Sequence, residues 1–346
     1  MRAFFMFDNF WGICYDNSMK VAAFEVHEYE DQDFLKAADY GLDLQIYREN
    51  LTQDTLPLVN GCEGVCILGH SILDEKLLTA LKKAGVKFIT TRTIGYNHID
   101  TNAAKRLQIR LSNASYSPYN VADFTVLLML MLLRKAKIAA LRSLVNDFSL
   151  DDMMGRELRS MTVGIVGAGK IGKTVIQNLS GFGCKILVYD PYVSADALPL
   201  CAKSVSLDEL LKNSDILSLH IPYTAENHHL ISRERMQMMK RGALLVNTAR
   251  GELIDTEAMI EALESEQLGG AGIDTVEDEE NVCHVDLGTK ILPKRNLFYL
   301  KQLPNVIYTP HIAFFTQEAT AAMVHSALES FRLFEANEPN PYEIKL

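Results

Sequence analysis

Arg250, His311 and an acidic run at 277–280 could together carry out a proton-coupled reaction, and each follows a β-rich run of the chain. The guanidinium of an arginine offers a planar fork of donors that suits a carboxylate. A histidine titrates near neutral pH and can exchange the proton that accompanies a hydride. A carboxylate beside the histidine favours its cationic form and raises its pKa. These groups fit hydride transfer at a 2-hydroxy acid, and the spacing leaves open which acid pairs with the histidine: Glu277, Asp278, Glu279 or Glu280.

The segment 161–190 predicts a nucleotide-binding turn. The apolar run 163–166 leads into three glycines with the G-x-G-x-x-G spacing: Gly167, Gly169 and Gly172. The first glycine permits a tight turn, the second lets a pyrophosphate approach, and the third lets the next helix pack on the strand. The N–H groups at the start of that helix, near Lys170, face the anion. Asp190 ends the following β-rich run, where a carboxylate accepts hydrogen bonds from both ribose hydroxyls, so we predict NAD rather than NADP.

The alternation of β-rich and helical runs indicates how these residues come together. In the second half of the chain, six or seven β-rich runs alternate with helices, which predicts a doubly wound parallel sheet. Ligands of such sheets bind beyond the carboxyl ends of the strands. Five side chains that follow separate strands are therefore expected at one crevice: Asp190, His220, Arg250, Asp274 and His311. We expect His220 to be a structural residue near the cofactor rather than a second base.

The whole chain is predicted to be an α/β protein with two doubly wound parallel-sheet domains. Residues 19–117 and 316–346 are expected to form a smaller flavodoxin-like substrate domain. Residues 118–315 are expected to form a Rossmann NAD-binding domain inserted in it, with Pro118 at the crossing. A helix is predicted over 121–146, much longer than the average of about 11 residues. Its apolar content favours packing against a second subunit.

Composition and charge exclude several classes of protein. With 346 residues and 48% hydrophobic content, the chain can bury two cores. A net charge of −10 argues against a nucleic-acid partner, because such binding relies on Lys and Arg at the phosphates. No apolar run reaches the roughly 18 residues that span a membrane. The six cysteines have no zinc-type spacing and the pair His228–His229 is expected to be exposed, so we predict no metal and a reducing, cytoplasmic location.

Residues 1–18 are expected to be a mobile or weakly docked extension. Asp8, Asn9 and Asp16 interrupt its aromatic residues, so it lacks the core of a signal peptide, and secretion is not predicted. A β-rich run begins directly after Met19, which is therefore a candidate for the natural start.

Four motifs in order resemble those of the NAD-dependent D-2-hydroxyacid dehydrogenases. They are VGIVGAGKIG followed by Asp190, LLVNTARGELID, DTVEDEE and PNVIYTPHIAFFT. The resemblance covers nearly the whole chain from Met19. The segments TRTIGYNHID and SYSPYNVADF narrow it to the fermentative D-lactate dehydrogenases and their vancomycin-resistance-type relatives. It implies D stereochemistry, reduction of pyruvate with NADH, and a homodimer built largely on the helix after Pro118.

The resemblance also implies a role for each site residue. Arg250 would hold the substrate carboxylate, His311 would donate the proton to the keto oxygen, and Glu279 would keep His311 protonated and oriented. Two backbone N–H groups and one side chain would complete the substrate site: Ile94, Gly95 and Tyr116. The cofactor would contact residues from its pyrophosphate to its nicotinamide: Gly167, Gly169, Lys170, Ile171, Gly172, Asp190, His220, Pro222, Thr248, Ala249 and Asp274.

Two positions bear on which 2-oxo acid is used. Lactate-active relatives commonly have a tyrosine in the position where this chain has Phe315, so its selectivity can differ. Relatives that take 2-oxoglutarate need an extra arginine where this chain has Gly69 and His70. Pyruvate is therefore the first expectation, with other D-2-hydroxy acids as alternatives: 2-hydroxyisocaproate, phenyllactate, 2-hydroxyglutarate and glycerate. A rival of another class is an NAD-sensing interaction protein similar to the corepressors that share this fold.

Overall fold

The structure, a computed structural model, describes residues 18–279 and 282–346, so all but the last residue of the expected N-terminal extension lies outside it. The strands in chain order are β1 (Met19–Ala23), β2 (Leu42–Ile46), β3 (Gly64–Ile67), β4 (Phe88–Thr91), β5 (Arg110–Ser112), β6 (Thr162–Val166), β7 (Lys185–Tyr189), β8 (Ala202–Ser204), β9 (Ile216–Leu219), β10 (Ala243–Asn247), β11 (Leu268–Ile273) and β12 (Val306–Tyr308). The helices are α1 (Asp31–Phe34), α2 (Glu75–Ala84), α3 (Thr101–Arg106), α4 (Tyr119–Leu133), α5 (Ala136–Leu144), α6 (Lys170–Ser180), α7 (Leu207–Asn213), α8 (Arg233–Met238), α9 (Thr256–Glu264), α10 (Arg295–Gln302) and α11 (Gln317–Glu335).

The chain forms two units, Met1–Tyr116 with Thr316–Leu346, and Ser117–Phe315. In the described part of the first unit, five parallel strands lie in the order β2-β1-β3-β4-β5. This is the strand order of flavodoxin-like sheets. The predicted α/β fold class is confirmed for this unit.

Helices cover both faces of the five-stranded sheet because side chains alternate along each strand. Ala22 of β1 packs in a cluster with Leu78 of α2, while its neighbour Val21 packs in another with Phe331 of α11. Asp74 begins α2 by accepting a hydrogen bond from the backbone N–H of Leu77 at 2.8 Å. Burial of each large apolar side chain contributes about 1.5–3 kcal/mol. Burial of these alternating faces therefore fixes the register of the sheet.

The second unit contains seven parallel strands in the order β12-β11-β10-β9-β6-β7-β8. Counted from β6, this is the Rossmann order 3-2-1-4-5-6 with β12 added beside β11. The strand order reverses between β6 and β9, which is where ligands of such sheets bind. The predicted Rossmann sheet is thus confirmed, and it has its switch point at the glycine turn.

The prediction of a single helix over 121–146 is wrong, because the helix is interrupted between α4 and α5. Lys135 adopts a left-handed backbone with φ 50°. The carbonyl of Leu133 accepts the N–H of Arg156 at 3.0 Å, a partner distant in sequence. The apolar pattern continues through 138–145, but α5 buries none of its residues. No helix among the described residues is long and apolar enough to cross a bilayer.

Candidate active site

The carboxyl ends of the strands around the switch point lie side by side. Val166 of β6 is in register with Tyr189 of β7 and with Leu219 of β9. Asn247 of β10 is in register with Leu219 and with Ile273 of β11, which also pairs with β12. Since the strands are parallel, the residues that follow them lie at one edge of the sheet. Five predicted residues follow these ends: Asp190, His220, Arg250, Asp274 and His311.

His311 forms a close pair with Glu279. Its Nδ1 lies 2.6 Å from Oε1 of Glu279, and Oε2 of Glu279 accepts the backbone N–H of Val276 at 3.1 Å. Burial opposes ionisation of Glu279, but the hydrogen bond and charge of His311 and the Val276 N–H outweigh it, so the pKa of Glu279 is lowered. The carboxylate is therefore ionised at neutral pH and favours a proton on Nδ1 of the imidazole.

The neighbouring acids that the spacing left open have other surroundings. Glu277 lies 2.6 Å from Nε2 of His229 and accepts the N–H of Thr256 at 3.0 Å. Asp278 is exposed, and Glu280 lies outside the described residues. Among the described acids of this run, Glu279 is the one that contacts His311.

The loop that carries His311 is held by Asp274, a fully buried residue. Its carboxylate accepts the Thr309 hydroxyl at 2.5 Å and the N–H groups of Ile312 and Ala313 at 3.0 and 2.9 Å. The N–H of His311 donates to the Asp274 carbonyl at 2.8 Å. His311 itself has φ 55°, a left-handed backbone that costs a residue with a side chain about 1–2 kcal/mol. Asp274 and its partners stabilise this uncommon conformation and so orient the imidazole.

Arg250 lies in a turn that Asn247 braces. The buried Asn247 side chain accepts the N–H of Ala249 at 3.0 Å and donates to the carbonyl of Arg250 at 2.8 Å. A Cβ on Gly251 would overlap the backbone of Val276 and Glu277, so this turn packs directly on the segment that leads to Glu279. The sequence interpretation missed both bracing residues. Their only signal is the amide at the last position of the strand and the glycine directly after the arginine.

The glycine turn after β6 has the shape that a dinucleotide needs. A Cβ on Gly172 would overlap the carbonyl oxygen of Gly167, whereas a Cβ on Gly169 would meet no atom within 4 Å. The accessible side of the turn is therefore at the second glycine, where α6 begins at Lys170. The Asp190 carboxylate accepts the N–H of Ala168 at 2.7 Å and so lies beside this turn. The residues fit a pyrophosphate followed by a ribose.

The remaining predicted cofactor residues lie in the same unit. Burial lowers the pKa of His220 to about 3, so this histidine is neutral at pH 7 and unsuited to act as a cationic acid. Its Nε2 lies 2.9 Å from the Ser218 hydroxyl. The hydroxyl of Thr248 lies 2.9 Å from that of Thr125 in α4. Three further predicted cofactor residues are at least partly exposed: Ile171, Pro222 and Ala249.

The predicted substrate-binding residues of the first unit follow β4 and β5. The Ile94 carbonyl accepts the Asn113 amide at 2.7 Å, and the Gly95 carbonyl accepts the Thr93 hydroxyl at 2.6 Å. Both carbonyls are thus fixed within the unit, which defines the orientation of this loop's backbone. Tyr116 is the last residue of the first segment of this unit.

The fold and the site define a nicotinamide-dependent dehydrogenase: a dinucleotide turn at the switch point, with a histidine–carboxylate pair at the same sheet edge. Residues 126–313 match the family described as D-isomer specific 2-hydroxyacid dehydrogenase, NAD binding domain. The chain belongs to this family of NAD-dependent oxidoreductases.

Named relatives and solved structures cover between 79% and 95% of this chain. It is 46% identical over 275 residues to a D-specific alpha-keto acid dehydrogenase of Enterococcus faecium, covering 79% of this chain and 84% of the relative. It is 39% identical to an aromatic 2-oxoacid reductase of Clostridium sporogenes, covering 92% and 96%. The structure of a D-lactate dehydrogenase from Treponema pallidum superimposes with a TM-score of 0.87 at 33% identity, covering 95% and 100%. The predicted family, fold class and cofactor are confirmed, and the names leave the substrate undecided.

Proposed function

We propose that this protein catalyses the reversible reduction of pyruvate to D-lactate with NADH. The observation that carries the proposal is the His311–Glu279 pair at 2.6 Å, on a loop next to the turn of Arg250 at the carboxyl edge of the NAD-binding sheet. An ionised carboxylate on Nδ1 leaves Nε2 of the imidazole to exchange a proton with the substrate. The bound cofactor supplies the hydride.

Each residue then has one task in the proposed reaction. The guanidinium of Arg250 holds the substrate carboxylate through paired hydrogen bonds and polarises the keto group. His311 donates its Nε2 proton to the keto oxygen as that oxygen gains charge, and Glu279 stabilises the cationic imidazole beforehand. We also propose that the backbone N–H groups of Ile94 and Gly95 bind the substrate carboxylate and that Tyr116 contacts the substrate.

Small or apolar 2-oxo acids fit the first unit better than dicarboxylic ones. Arg92 follows β4 directly, but its side chain is fully buried and donates to Glu30 at 2.8 Å and to the carbonyl of Glu25 at 2.9 Å. This arginine is therefore committed to the protein and is not offered to a second substrate carboxylate. The relatives named for alpha-keto and aromatic 2-oxo acids, together with Phe315, support larger apolar 2-oxo acids as the second candidate.

The test is a steady-state comparison of NADH oxidation with four acids: pyruvate, 4-methyl-2-oxopentanoate, phenylpyruvate and 2-oxoglutarate. We expect pyruvate to give the highest kcat/KM and the product to be D-lactate in a chiral assay. A preference for phenylpyruvate by more than about tenfold, or 1.4 kcal/mol, would replace the lactate assignment with the second candidate. Absence of turnover with all four would favour the sensing protein, in which NADH binds without chemistry.

We also propose a homodimer, formed through the exposed apolar surface around α5. Six large apolar side chains are exposed in this stretch: Leu141, Leu144, Val145, Phe148, Leu150 and Met154. An apolar patch of this kind on a folded protein marks an interaction surface.

We also propose a cytoplasmic location. It is supported by the free thiols of the five cysteines in the described residues, because disulfides are rare in the reducing cytosol.

A further inference from the structure

Among the described residues there are two groups of three side chains, and in each group the three potential metal-ligating atoms lie within 4.8 Å of one another. One group lies at the proton-transfer pair: Glu279, Cys283 and His311. The other includes the exposed His228: His228, His229 and Glu277. We infer that the first group is a zinc site, and that zinc bound there inhibits the enzyme. From the sequence we predicted no metal. Two of the three ligands of this site, Glu279 and Cys283, lie close together in the chain, but His311 follows a distant strand, so the three form no recognisable motif.

The ligand types and their local structure suit zinc. A thiolate, an imidazole and a carboxylate are the three side chains that zinc most often binds. The N–H of Cys283 donates to the carbonyl of Glu279 at 3.1 Å, and the thiol sulfur lies within 4.8 Å of a Glu279 carboxylate oxygen and of a ring nitrogen of His311. Zinc binds the thiolate form of cysteine, so its binding releases the proton of the Cys283 thiol.

The distances are compatible with one tetrahedral ion. Zinc bonds of about 2.0–2.3 Å place ligand atoms roughly 3.3–3.5 Å apart. The pair of His311 Nδ1 and Glu279 Oε1, now 2.6 Å apart, must open by less than about 1 Å, and the thiol must approach to a similar distance. Three protein ligands leave the fourth position for water, so the site does not require a residue from elsewhere.

The second group is the weaker candidate. Glu277 already uses one oxygen for His229 at 2.6 Å and the other for the N–H of Thr256 at the start of α9, at 3.0 Å. The carboxylate of Glu279 has comparable contacts, so the feature that distinguishes the second group is that it has no thiol. Zinc, which binds thiolates strongly, is therefore expected at Cys283.

Inhibition follows from the side of the imidazole that zinc occupies, and this step rests on the proposed function. Zinc on Nδ1 takes the place of the proton between His311 and Glu279. The imidazole is then a neutral ligand, and its Nε2–H is a much weaker acid than that of an imidazolium. Glu279 is also removed from its role of stabilising the cation. The reduction should therefore stop while NADH binding continues, and a chelator should restore it.

The first measurement detects metal binding at this site and does not depend on enzymatic turnover. Cobalt(II), added to the full-length protein as a spectroscopic substitute for zinc, gives a thiolate-to-metal charge-transfer band when a cysteine is a ligand. We expect this band in the wild type and in Cys201→Ser, which alters an exposed cysteine, and its loss in Cys283→Ser. A band that survives in Cys283→Ser would overturn the site, whatever the protein catalyses.

The second measurement is zinc inhibition of NADH oxidation, with each variant compared to its own rate in EDTA. We expect Cys283→Ser to raise the half-inhibiting zinc concentration at least about tenfold, because one of three ligands is lost. His229→Gln, which disrupts the second group, should leave it unchanged. Equal inhibition of wild type and Cys283→Ser, or a shift in His229→Gln alone, would overturn the proposal. Without turnover on any 2-oxo acid, the proposed function fails, and the cobalt band still decides the site.

Discussion

Nδ1 of His311 lies 2.6 Å from Oε1 of Glu279, on a loop whose backbone is fixed by the buried Asp274. The contact commits one ring nitrogen to the protein, and in the proposed reaction the other nitrogen faces the substrate. The lowered pKa of Glu279 keeps its carboxylate charged at neutral pH, directly beside Nδ1 of the imidazole. In the proposed reaction, the fold thus orients the proton donor before the substrate binds.

Replacing Glu279 by Gln should lower kcat for 2-oxo acid reduction by about 10²–10⁴, the usual contribution of general acid–base catalysis. The amide keeps the shape of the side chain but removes the charge that stabilises the imidazolium. NADH affinity, measured by fluorescence, should be unchanged. The relative loss should shrink as the pH is lowered, because bulk protons then maintain the cation without a partner.

The control for this variant is Asp278→Asn, which removes an exposed charge one residue away. It should retain the wild-type kcat and pH profile. A Glu279→Gln enzyme with near wild-type kcat at pH 8 would remove Glu279 from the mechanism.

Asp274→Asn should show whether Asp274 contacts the cofactor directly or acts by holding the His311 loop. The sequence resemblance assigned this residue to the nicotinamide, whereas its carboxylate accepts three hydrogen bonds from the His311 loop. If it acts through that loop, kcat should fall at least about tenfold while the Kd of NADH changes less than twofold, since each bond to a charged acceptor contributes about 1.5–3 kcal/mol. Thr309→Val, which removes one of the three donors, should have a smaller effect of the same kind. A large rise in Kd with kcat preserved would instead support direct cofactor contact.

Asp190→Ala should weaken the discrimination between the two nicotinamide cofactors. The Asp190 carboxylate lies beside the glycine turn, where it would repel the 2′-phosphate of NADP. We expect the ratio of kcat/KM for NADH to that for NADPH to fall at least about tenfold, or 1.4 kcal/mol. Asp196→Ala, a change of an exposed carboxylate nearby in sequence, should leave the ratio intact. An unaltered ratio in Asp190→Ala would show that selectivity is set elsewhere.

The sequence predicted best those elements whose limits are set locally. Helices α7 and α9 begin directly after Ser206 and Asp255, whose side chains cap them, so a signal adjacent in sequence sets each start. The strand ends were predicted for the same reason, since short apolar runs stop at polar residues. The functional residues at those ends could therefore be placed on one edge from pattern alone.

Structural features that depend on contacts between residues far apart in the sequence could not be predicted from local sequence patterns. The break at Lys135 depends on the Arg156 N–H taking the carbonyl of Leu133. Spacing left four acids as partners for His311, and only the resemblance selected Glu279. The choice is made in three dimensions, where the neighbouring Glu277 turns to His229.

Charging the apolar surface around α5 should separate the proposed dimer. The side chains of Leu144 and Phe148 are 79% and 76% exposed, so the double change to Asp should not disturb the core. We expect light scattering after size-exclusion chromatography to give half the wild-type mass. Leu200→Asp, at another fully exposed leucine, is the matched control and should keep the wild-type mass. A wild-type protein that is already monomeric at micromolar concentration would end the dimer proposal.

Glu25 should contribute stability that depends on pH. This buried carboxylate accepts the N–H groups of Gly69, His70 and Ser71 at 2.7, 2.9 and 2.7 Å, and it also accepts the Ser71 hydroxyl. Burial raises the pKa of Glu25, but these hydrogen bonds outweigh it and the net pKa is lowered. A folded-state pKa below the unfolded one gives stability that is present above the usual carboxyl range and is lost as the pH falls through the folded value.

Glu25→Gln should therefore lower the free energy of unfolding by about 2 kcal/mol at pH 7, because a neutral amide oxygen accepts these donors less strongly and its NH₂ group opposes them. The difference from wild type should be smaller at an acid pH well below the usual carboxyl range, where the wild-type carboxyl gains its own proton. Urea unfolding at both pH values measures it, with the exposed Glu49→Gln as control. A difference of the same size at both pH values would mean that the charge of Glu25 does not stabilise the loop, and that only its shape matters.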